Sequence, residues 1–188
     1  METYISILRG INVGGHKLIK MTVLTKLYED LSFTKVKTYI QSGNVVFQSK
    51  QTNNLKLEAI ISKKITEVFY FEVPVIVMKY KEVDSILKNN PFIIKKKYDV
   101  NFLHVTFFSQ QPKQVEIDKI SGVFGNDEFV FTEKAVYLYC PDGYSKSKLT
   151  NSFFENKLKV SATTRNWKTT TELVFLVNRP LSSFKKRI

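Results

Sequence analysis

Residues 36–48 read VKTYIQSGNVVFQ, and this stretch decides how the fold is interpreted. Two apolar runs, Val36–Gln41 and Val45–Gln48, flank the small polar residues Ser42–Asn44, which is the pattern of a β-hairpin. The sequence therefore predicts that the two runs pair as antiparallel strands. A helix through residues 41–44 would contradict this prediction.

Further elements follow in both directions from the hairpin. Tyr4–Ile11 and Pro74–Tyr80 are apolar runs typical of strands. Two segments show the apolar spacing of helices: Met21, Leu24, Leu27, Tyr28 and Leu31, then Leu57, Ile61, Ile65 and Val68. The predicted order is βαββαβ, the ferredoxin-like motif, and residues 1–80 are expected to form one subdomain.

The second half repeats this order without repeating the sequence. Residues 81–101 are predicted to hold a helix, Lys81–Lys88, and a connector that includes Lys95–Lys97. Residues 102–188 are expected to form a second ferredoxin-like subdomain with a C-terminal helix and a basic tail. Its predicted elements are a strand at Phe102–Phe108, a helix from Pro112 to about Ile120, a hairpin of Glu128–Thr132 with Ala135–Tyr139, and helices near Ser147–Leu158 and Asn166–Val177. The resulting class is α/β (α+β) with two tandem ferredoxin-like subdomains, βαββαβ then βαββα, and a helix replaces the expected fourth strand.

Composition restricts the class of protein. The chain has 188 residues, 43% of them apolar, with 15 Phe and 9 Tyr but only 7 Gly and 5 Pro, so a folded core is expected rather than disorder. Cys140 is the one cysteine, which excludes an intrachain disulfide. No apolar run approaches the roughly 20 residues of a membrane span. Because Glu2 also stands where a signal peptide is basic, we expect a cytoplasmic protein without a membrane partner.

The net charge of +12 points to anionic partners. It is uneven, since residues 141–188 hold 10 basic and 3 acidic side chains, whereas residues 101–140 hold 3 and 5. A lysine-rich solvated surface would produce the same surplus. Charge alone therefore favours an anionic ligand without locating it.

Four separated motifs suggest a family. They are RGINVGG at residues 9–15, KM at 20–21, QSGNVVF at 41–47 and TTRNW at 163–167, and NPF at 90–92 and SKSKLT at 145–150 also fit. Together they resemble the bacterial family of uncharacterised proteins catalogued as domain of unknown function 1697. The resemblance implies paired ferredoxin-like subdomains, and it implies no activity. Lys168 departs from the family pattern, which more often has an asparagine there.

Topology predicts that two of these motifs meet. Right-handed crossovers place the loop after the first strand and the turn of the first hairpin at the same edge of the sheet. The amide, guanidinium, ammonium and backbone N–H donors gathered there, Lys17 among them, suit phosphate or carboxylate oxygens. The candidate ligand-binding residues are Arg9, Asn12, Gly14, Gly15, Lys20, Gln41, Ser42, Gly43, Asn44, Arg165 and Asn166. The alternative is structural: the glycines permit tight turns, and the polar side chains bond to neighbouring backbone.

Arg165 and Asn166 enter this set from the second half. Thr164 or Asn166 is expected to cap the last helix, and Arg165 stands where that helix begins. We expect Arg165 to reach the pocket formed by Arg9, Asn12, Gln41 and Asn44. The packing of the two halves, which this requires, is not fixed by the topology.

Catalytic and metal-binding patterns are missing from the sequence. The two histidines, His16 and His104, form no HExxH or Cys/His arrangement, and there is no GxSxG, GxGxxG or P-loop motif. An RNA-binding sheet of the RRM type is disfavoured because Asn44, Val46 and Ser49 occupy the positions of its stacking aromatics. No metal and no cofactor are expected.

The leading hypothesis is therefore non-catalytic binding of an anionic ligand, either nucleic acid or a phosphorylated metabolite. One alternative is a metal-independent enzyme that acts on a phosphorylated or nucleotide-like substrate and uses the same donors as an electrophilic pocket. Another is a structural or interaction protein with no ligand. The oligomeric state is left open.

Overall fold

Two compact units make up the chain in the computed structural model, which describes residues 1–95, 98–120 and 124–179. The first unit comprises Met1–Val83 and the C-terminal segment that starts at Glu172, and the second comprises Asp84–Thr171. Each unit contains one four-stranded sheet, and every pairing between its strands is antiparallel. The chain is thus a mixed α+β protein with two ferredoxin-like units.

The first unit has the element order predicted for it. Its elements are β1 (Glu2–Leu8), α1 (Met21–Asp30), β2 (Thr34–Tyr39), β3 (Asn44–Ser49), α2 (Asn54–Phe69) and β4 (Val75–Lys79). The strands lie in the order β2-β3-β1-β4, so β1 pairs with β3 and with β4. This order places the C-terminal end of β1 beside the hairpin between β2 and β3.

The predicted hairpin is confirmed. Lys37 is opposite Val46, and Tyr39 is opposite Asn44, with an irregular register between Thr34 and Lys37. Residues 40–43 form the turn, and no helix enters it.

Aromatic packing holds the helices onto the first sheet. The ring of Phe47 stacks on Phe33 with centroids 4.6 Å apart and on Tyr4 at 5.6 Å, and Tyr28 of α1 meets it edge-on at 5.3 Å. The Tyr28 hydroxyl lies 2.7 Å from the Ser6 hydroxyl, which satisfies both buried groups. Helix α2 adds Leu57, Ile61 and Ile65 to this core, as their spacing predicts.

The second unit repeats the topology in full. Its elements are α3 (Tyr80–Lys88), which begins in the first unit, α4 (Pro91–Ile94), β5 (Leu103–Phe108), α5 (Gln114–Ile117), β6 (Glu128–Phe131), β7 (Ala135–Tyr139), α6 (Asn151–Leu158), β8 (Ala162–Asn166) and α7 (Trp167–Asn178), which ends in the first unit. The strand order β6-β7-β5-β8 matches that of the first sheet. None of the helices in the described ranges has the length and apolar content needed to cross a bilayer.

The expectation that a helix replaces the fourth strand is wrong. β8 pairs with β5 along its length, from Phe108 opposite Ala162 to His104 opposite Asn166. Its sequence, ATTRN, lacks alternating apolar residues because the core position facing Thr106 is filled by Thr164, and their hydroxyls lie 2.7 Å apart. A strand whose inward side chains bond to each other gives no hydrophobic signal.

Three further predicted boundaries differ from the structure. Helix α5 spans only Gln114–Ile117 rather than extending to Ile120, because the Ile120 N–H donates to the carbonyl of Ile117, three residues back, instead of continuing the four-residue bonding of an α-helix. Helix α6 begins at Asn151 rather than near Ser147, because the Thr150 side chain accepts the Phe153 N–H and so caps the helix there. The predicted connector contains α4 and a single 3₁₀ turn at Val100–Phe102. Its Lys96 and Lys97, and the predicted basic tail from residue 180, lie outside the described residues.

Lys37 joins the end of α7 to the first unit, whereas the sequence assigned residues 102–188 to the second. Its ammonium, buried on the edge strand β2, donates to the carbonyls of Leu176 at 2.9 Å, Val177 at 3.1 Å and Arg179 at 2.5 Å. These carbonyls belong to the helix C-terminus, where a cation is favoured. Burial lowers the pKa of Lys37, so the three bonds offset a desolvation cost.

We predict that Lys37→Ala lowers the free energy of unfolding by about 1.5–3 kcal/mol, the range for hydrogen bonds to a charged group. Lys35→Ala is the matched control, because Lys35 lies on the same strand but is exposed. It should change stability by less than about 0.5 kcal/mol. Urea denaturation of both variants measures the difference, and equal effects would show that the bonds to α7 contribute nothing.

Candidate functional site

The loop after β1 contains a tight turn that only its two glycines allow without strain. Gly14 and Gly15 have φ of 57° and 78°, and the His16 N–H donates to the Val13 carbonyl at 3.0 Å. Positive φ at both central residues is the property of a type I′ turn. The glycines therefore shape the loop, and their N–H groups lie in an exposed segment.

Asn12 fixes this loop against the first hairpin. Its Nδ2 donates to the Ile19 carbonyl at 3.0 Å and to the Gln41 carbonyl at 2.7 Å, and its Oδ1 accepts the Ile19 N–H at 2.8 Å. Both amide protons are thus bonded within the chain. We name residues 9–20 the basic loop and residues 40–43 the hairpin turn; as the topology predicted, the two lie side by side.

The hairpin turn is packed equally closely. Asn44 is fully buried, and its Nδ2 donates to the Tyr39 carbonyl at 3.2 Å and to the Ser42 hydroxyl at 2.9 Å. Gly43, at φ of 73°, accepts the Leu8 N–H on its carbonyl at 2.8 Å. The amide of Asn44, like that of Asn12, therefore holds the backbone in place.

The cationic residues of the basic loop surround this end of the unit. The Arg9 N–H donates to the Pro74 carbonyl at 2.9 Å, and the ammonium of Lys17 donates to the Glu72 carbonyl at 2.7 Å. Lys20 is exposed and immediately precedes α1, and the imidazole of His16 is also exposed. The segment before β4 thus completes the same surface.

Arg165 and Asn166 lie in the second unit. Arg165 is on β8, opposite Val105, and its Nη1 donates to the Thr164 carbonyl at 2.9 Å. Burial lowers its pKa to about 10. The Oδ1 of Asn166 accepts the Thr169 N–H at 2.8 Å and so caps α7, as one of the two predicted caps. That Arg165 contributes to a pocket with Arg9 stays a prediction.

Sequence reasoning missed a polar network in the second unit. The Thr164 hydroxyl contacts the hydroxyls of Thr106 at 2.7 Å and Tyr144 at 2.9 Å, and donates to Asn151 Oδ1 at 2.6 Å. His104 stacks on Tyr144 with ring centroids 4.8 Å apart, and burial lowers its pKa. The signal was the SKSKLT motif next to these residues, which we used only as support for the family resemblance.

Two other classes of site find no support in the described part of the chain. There, no group of three or more His, Cys, Asp or Glu side chains is arranged to hold a metal ion. The positions of the stacking aromatics in an RRM-type platform are also buried, since Asn44, Val46 and Ser49 are at most 5% exposed. A nucleic acid could not stack on the sheet at these positions.

Comparison with known proteins agrees with the motifs. The sequence profile of the family described as "Protein of unknown function (DUF1697)" matches residues 1–137. The chain belongs to this family. The matched region of this family member includes the basic loop and the hairpin turn but ends before TTRNW. No curated protein matches the sequence.

A solved structure shows that the fold is shared. The structure of a conserved bacterial protein from Streptococcus pneumoniae superposes on this family member with a TM-score of 0.70 at 20% sequence identity, covering 94% of this chain and 98% of the other. At that identity the likeness concerns the fold alone. It extends through the second unit, beyond the region that the family profile matches.

We predict that Gly43→Ala lowers the free energy of unfolding by about 2–4 kcal/mol, because it adds overpacking to left-handed strain. A Cβ there would lie 2.7 Å from Leu8 Cβ and 2.6 Å from Ile11 Cδ1. Gly10→Ala is the control, since Gly10 has a similar φ of 71° but nothing within 4 Å of the added Cβ. Gly10→Ala should lower the free energy of unfolding only by the backbone strain, about 1–2 kcal/mol. Thermal or urea unfolding measures both, and equal losses would contradict the packing role of Gly43.

Proposed function

We propose that the basic loop and the hairpin turn form the binding site of an anionic ligand, either a nucleic acid or a phosphorylated metabolite, and that the protein binds it without catalysis. The observation that carries the proposal is the 2.7 Å bond from Asn12 Nδ2 to the Gln41 carbonyl, which fixes a cationic loop against the turn. A rigid set of donors loses less entropy on binding than a flexible one.

The charge of these segments supports an anion. Residues 3–28 contain no Asp or Glu but include Arg9, Lys17 and Lys20, and residues 31–57 also contain no acid. A guanidinium, two ammonium groups and the N–H groups of a glycine turn can each donate to phosphate oxygens. One exposed carboxylate, that of Glu72, lies in the segment that contacts Lys17, so the surface is strongly but not purely cationic.

Backbone strain at this end also supports a binding role. Asn12, Lys17 and Ile40 have φ of 55°, 47° and 48°, in the left-handed region that disfavours side chains, above all β-branched ones such as Ile40. Such residues gather at binding sites, where the surrounding structure holds them. The non-catalytic part of the proposal is supported by the sequence, which has no HExxH, GxSxG or P-loop pattern.

The proposed location is the cytoplasm. Cys140 is buried, and burial raises its pKa to about 12, so this thiol is a core side chain rather than a disulfide former.

Calorimetric titration with inorganic tripolyphosphate tests the site. Arg9→Ala should weaken binding by about tenfold to a hundredfold, which corresponds to one charge-assisted bond of about 1.5–3 kcal/mol. Lys50→Ala removes the same charge from the opposite end of β3 and should leave the affinity within about twofold. Melting curves of each variant separate loss of a ligand contact from loss of the fold.

Three results would refute the proposal: tripolyphosphate fails to bind, Arg9→Ala and Lys50→Ala weaken it equally, or Arg9→Ala unfolds the protein. The last would assign Arg9 a structural role. Multiple turnover of a phosphorylated metabolite at this site would refute its non-catalytic part.

A further inference from the structure

The C-terminal end of α2 borders the proposed binding site. The Lys17 ammonium bonds to the carbonyl of Glu72 at 2.7 Å, and the Arg9 N–H bonds to that of Pro74 at 2.9 Å. Residues 70–74, which connect α2 to β4, therefore run along the basic loop. Tyr70 is the first residue of this connecting segment, two residues before the carbonyl that Lys17 contacts.

Tyr70 is unusual in both exposure and backbone conformation. It is 90% exposed, the highest exposure among the large hydrophobic and aromatic side chains of the described residues. It occupies the left-handed C-cap position of α2, with φ of 60° and ψ of 26°, and its N–H donates to the Thr66 carbonyl at 2.9 Å. Glycine is the favoured residue at such a position. A tyrosine there adds strain and gains no burial in the chain, so its ring is available to a ligand.

Lys17 and Lys63 border an open groove rather than an enclosed cavity. The groove, about 740 Å³ in volume, lies between Lys17 and α2, and is also lined by Ser62, Lys63, Thr66, Glu67 and Glu72. The Glu67 carboxylate is shared by Lys63 at 4.0 Å and Lys64 at 3.5 Å. A metabolite would be enclosed on few sides here, whereas an extended polyanion could contact the groove, the basic loop and Tyr70 together.

We propose that the anionic ligand is single-stranded nucleic acid, with one base stacked on the Tyr70 ring and its phosphates bound by Arg9, Lys17 and Lys63. The inference rests on the proposed function and specifies its ligand. Proteins that bind single strands without sequence preference combine exposed aromatic rings with cationic grooves. The rings stack on the π-face that every base has, and the cations bind the phosphate of every nucleotide. The faces of a base within a duplex are covered by stacking on the neighbouring base pairs, so duplexes bind less tightly.

The test uses the full-length protein and a fluorescein-labelled dT12 oligonucleotide, with fluorescence anisotropy as readout. Tyr70→Ala should weaken dT12 binding by about 5- to 150-fold, the range for loss of one base–aromatic stack. Tyr70→Phe keeps the ring and should bind within about twofold of the wild type. Neither variant should alter the affinity for inorganic tripolyphosphate, which has no base. The wild-type affinity for dT12 should fall as salt rises, because bound phosphates release counterions.

Tyr70→Gly distinguishes a ligand contact from a structural role. Because glycine relieves the left-handed strain, this variant should melt about 2–4 °C above the wild type while losing dT12 affinity as Tyr70→Ala does. A structural tyrosine would give the opposite result, a lower melting temperature.

The remaining outcomes separate this inference from the proposed function. Wild-type affinity for dT12 in Tyr70→Ala, or binding of tripolyphosphate but not of dT12, overturns the single-strand inference and leaves anion binding in place. If neither probe binds, both proposals fail. Binding to vesicles of phosphatidylserine and phosphatidylcholine in the absence of dT12 binding would assign the surface to a membrane and overturn the inference.

Discussion

The first unit depends on how closely the hairpin turn approaches the end of β1. Gly43 lies where any Cβ would collide with Leu8 and Ile11, and its carbonyl accepts the Leu8 N–H. This contact fixes the position of the hairpin turn relative to β1. Asn12 Nδ2 of the basic loop also donates to the Gln41 carbonyl of the hairpin turn. Because β1 and the basic loop are each bonded to the hairpin turn, the cations of the loop are held by the sheet rather than by a flexible connection.

The two units share a topology but meet the need for buried polar bonds differently. In the first unit the Ser6 hydroxyl on β1 bonds to Tyr28 on a helix, so the bond joins the sheet to its covering layer. In the second unit Thr106 and Thr164 bond between neighbouring strands, and Tyr144 and Asn151 complete the network. Fully bonded networks of this kind, here partly buried, favour one arrangement of the chain over others. The second sheet therefore gains specificity at the strand whose pattern is least apolar.

Elements with strong apolar spacing could be predicted from the sequence. The strand whose inward-facing side chains are polar could not. α1, α2 and the first hairpin follow from periodicity and from Ser42–Asn44, whereas β8 was missed because Thr164 faces Thr106. Topology alone was enough to place the basic loop beside the hairpin turn. It could not show that the amide protons of Asn12 and Asn44 are bonded within the chain and hold that arrangement. The residue type alone does not indicate whether a side-chain donor points into the fold or away from it. Tyr70 was not found at all, because its significance lies in a left-handed φ that no pattern of residue types indicates.

Four non-glycine residues at one end of the first unit have a left-handed backbone conformation. The conformational free energy that this costs must be offset by stabilising interactions elsewhere in the fold. Asn12, Lys17, Ile40 and Tyr70 all have φ between 47° and 60°, and each such non-glycine residue costs about 1–2 kcal/mol. Their sum is comparable with the whole stability of a typical domain, about 5–15 kcal/mol. The aromatic core around Phe47 and the bonds of Asn12 have to offset it. Glycine at Tyr70 or Ile40 would remove part of this cost. Because Ser32, Lys35 and Lys159 are also exposed and left-handed but lie away from this end of the first unit, strain alone does not mark a contact outside the chain, and the charge around Arg9 and Lys17 has to carry that argument.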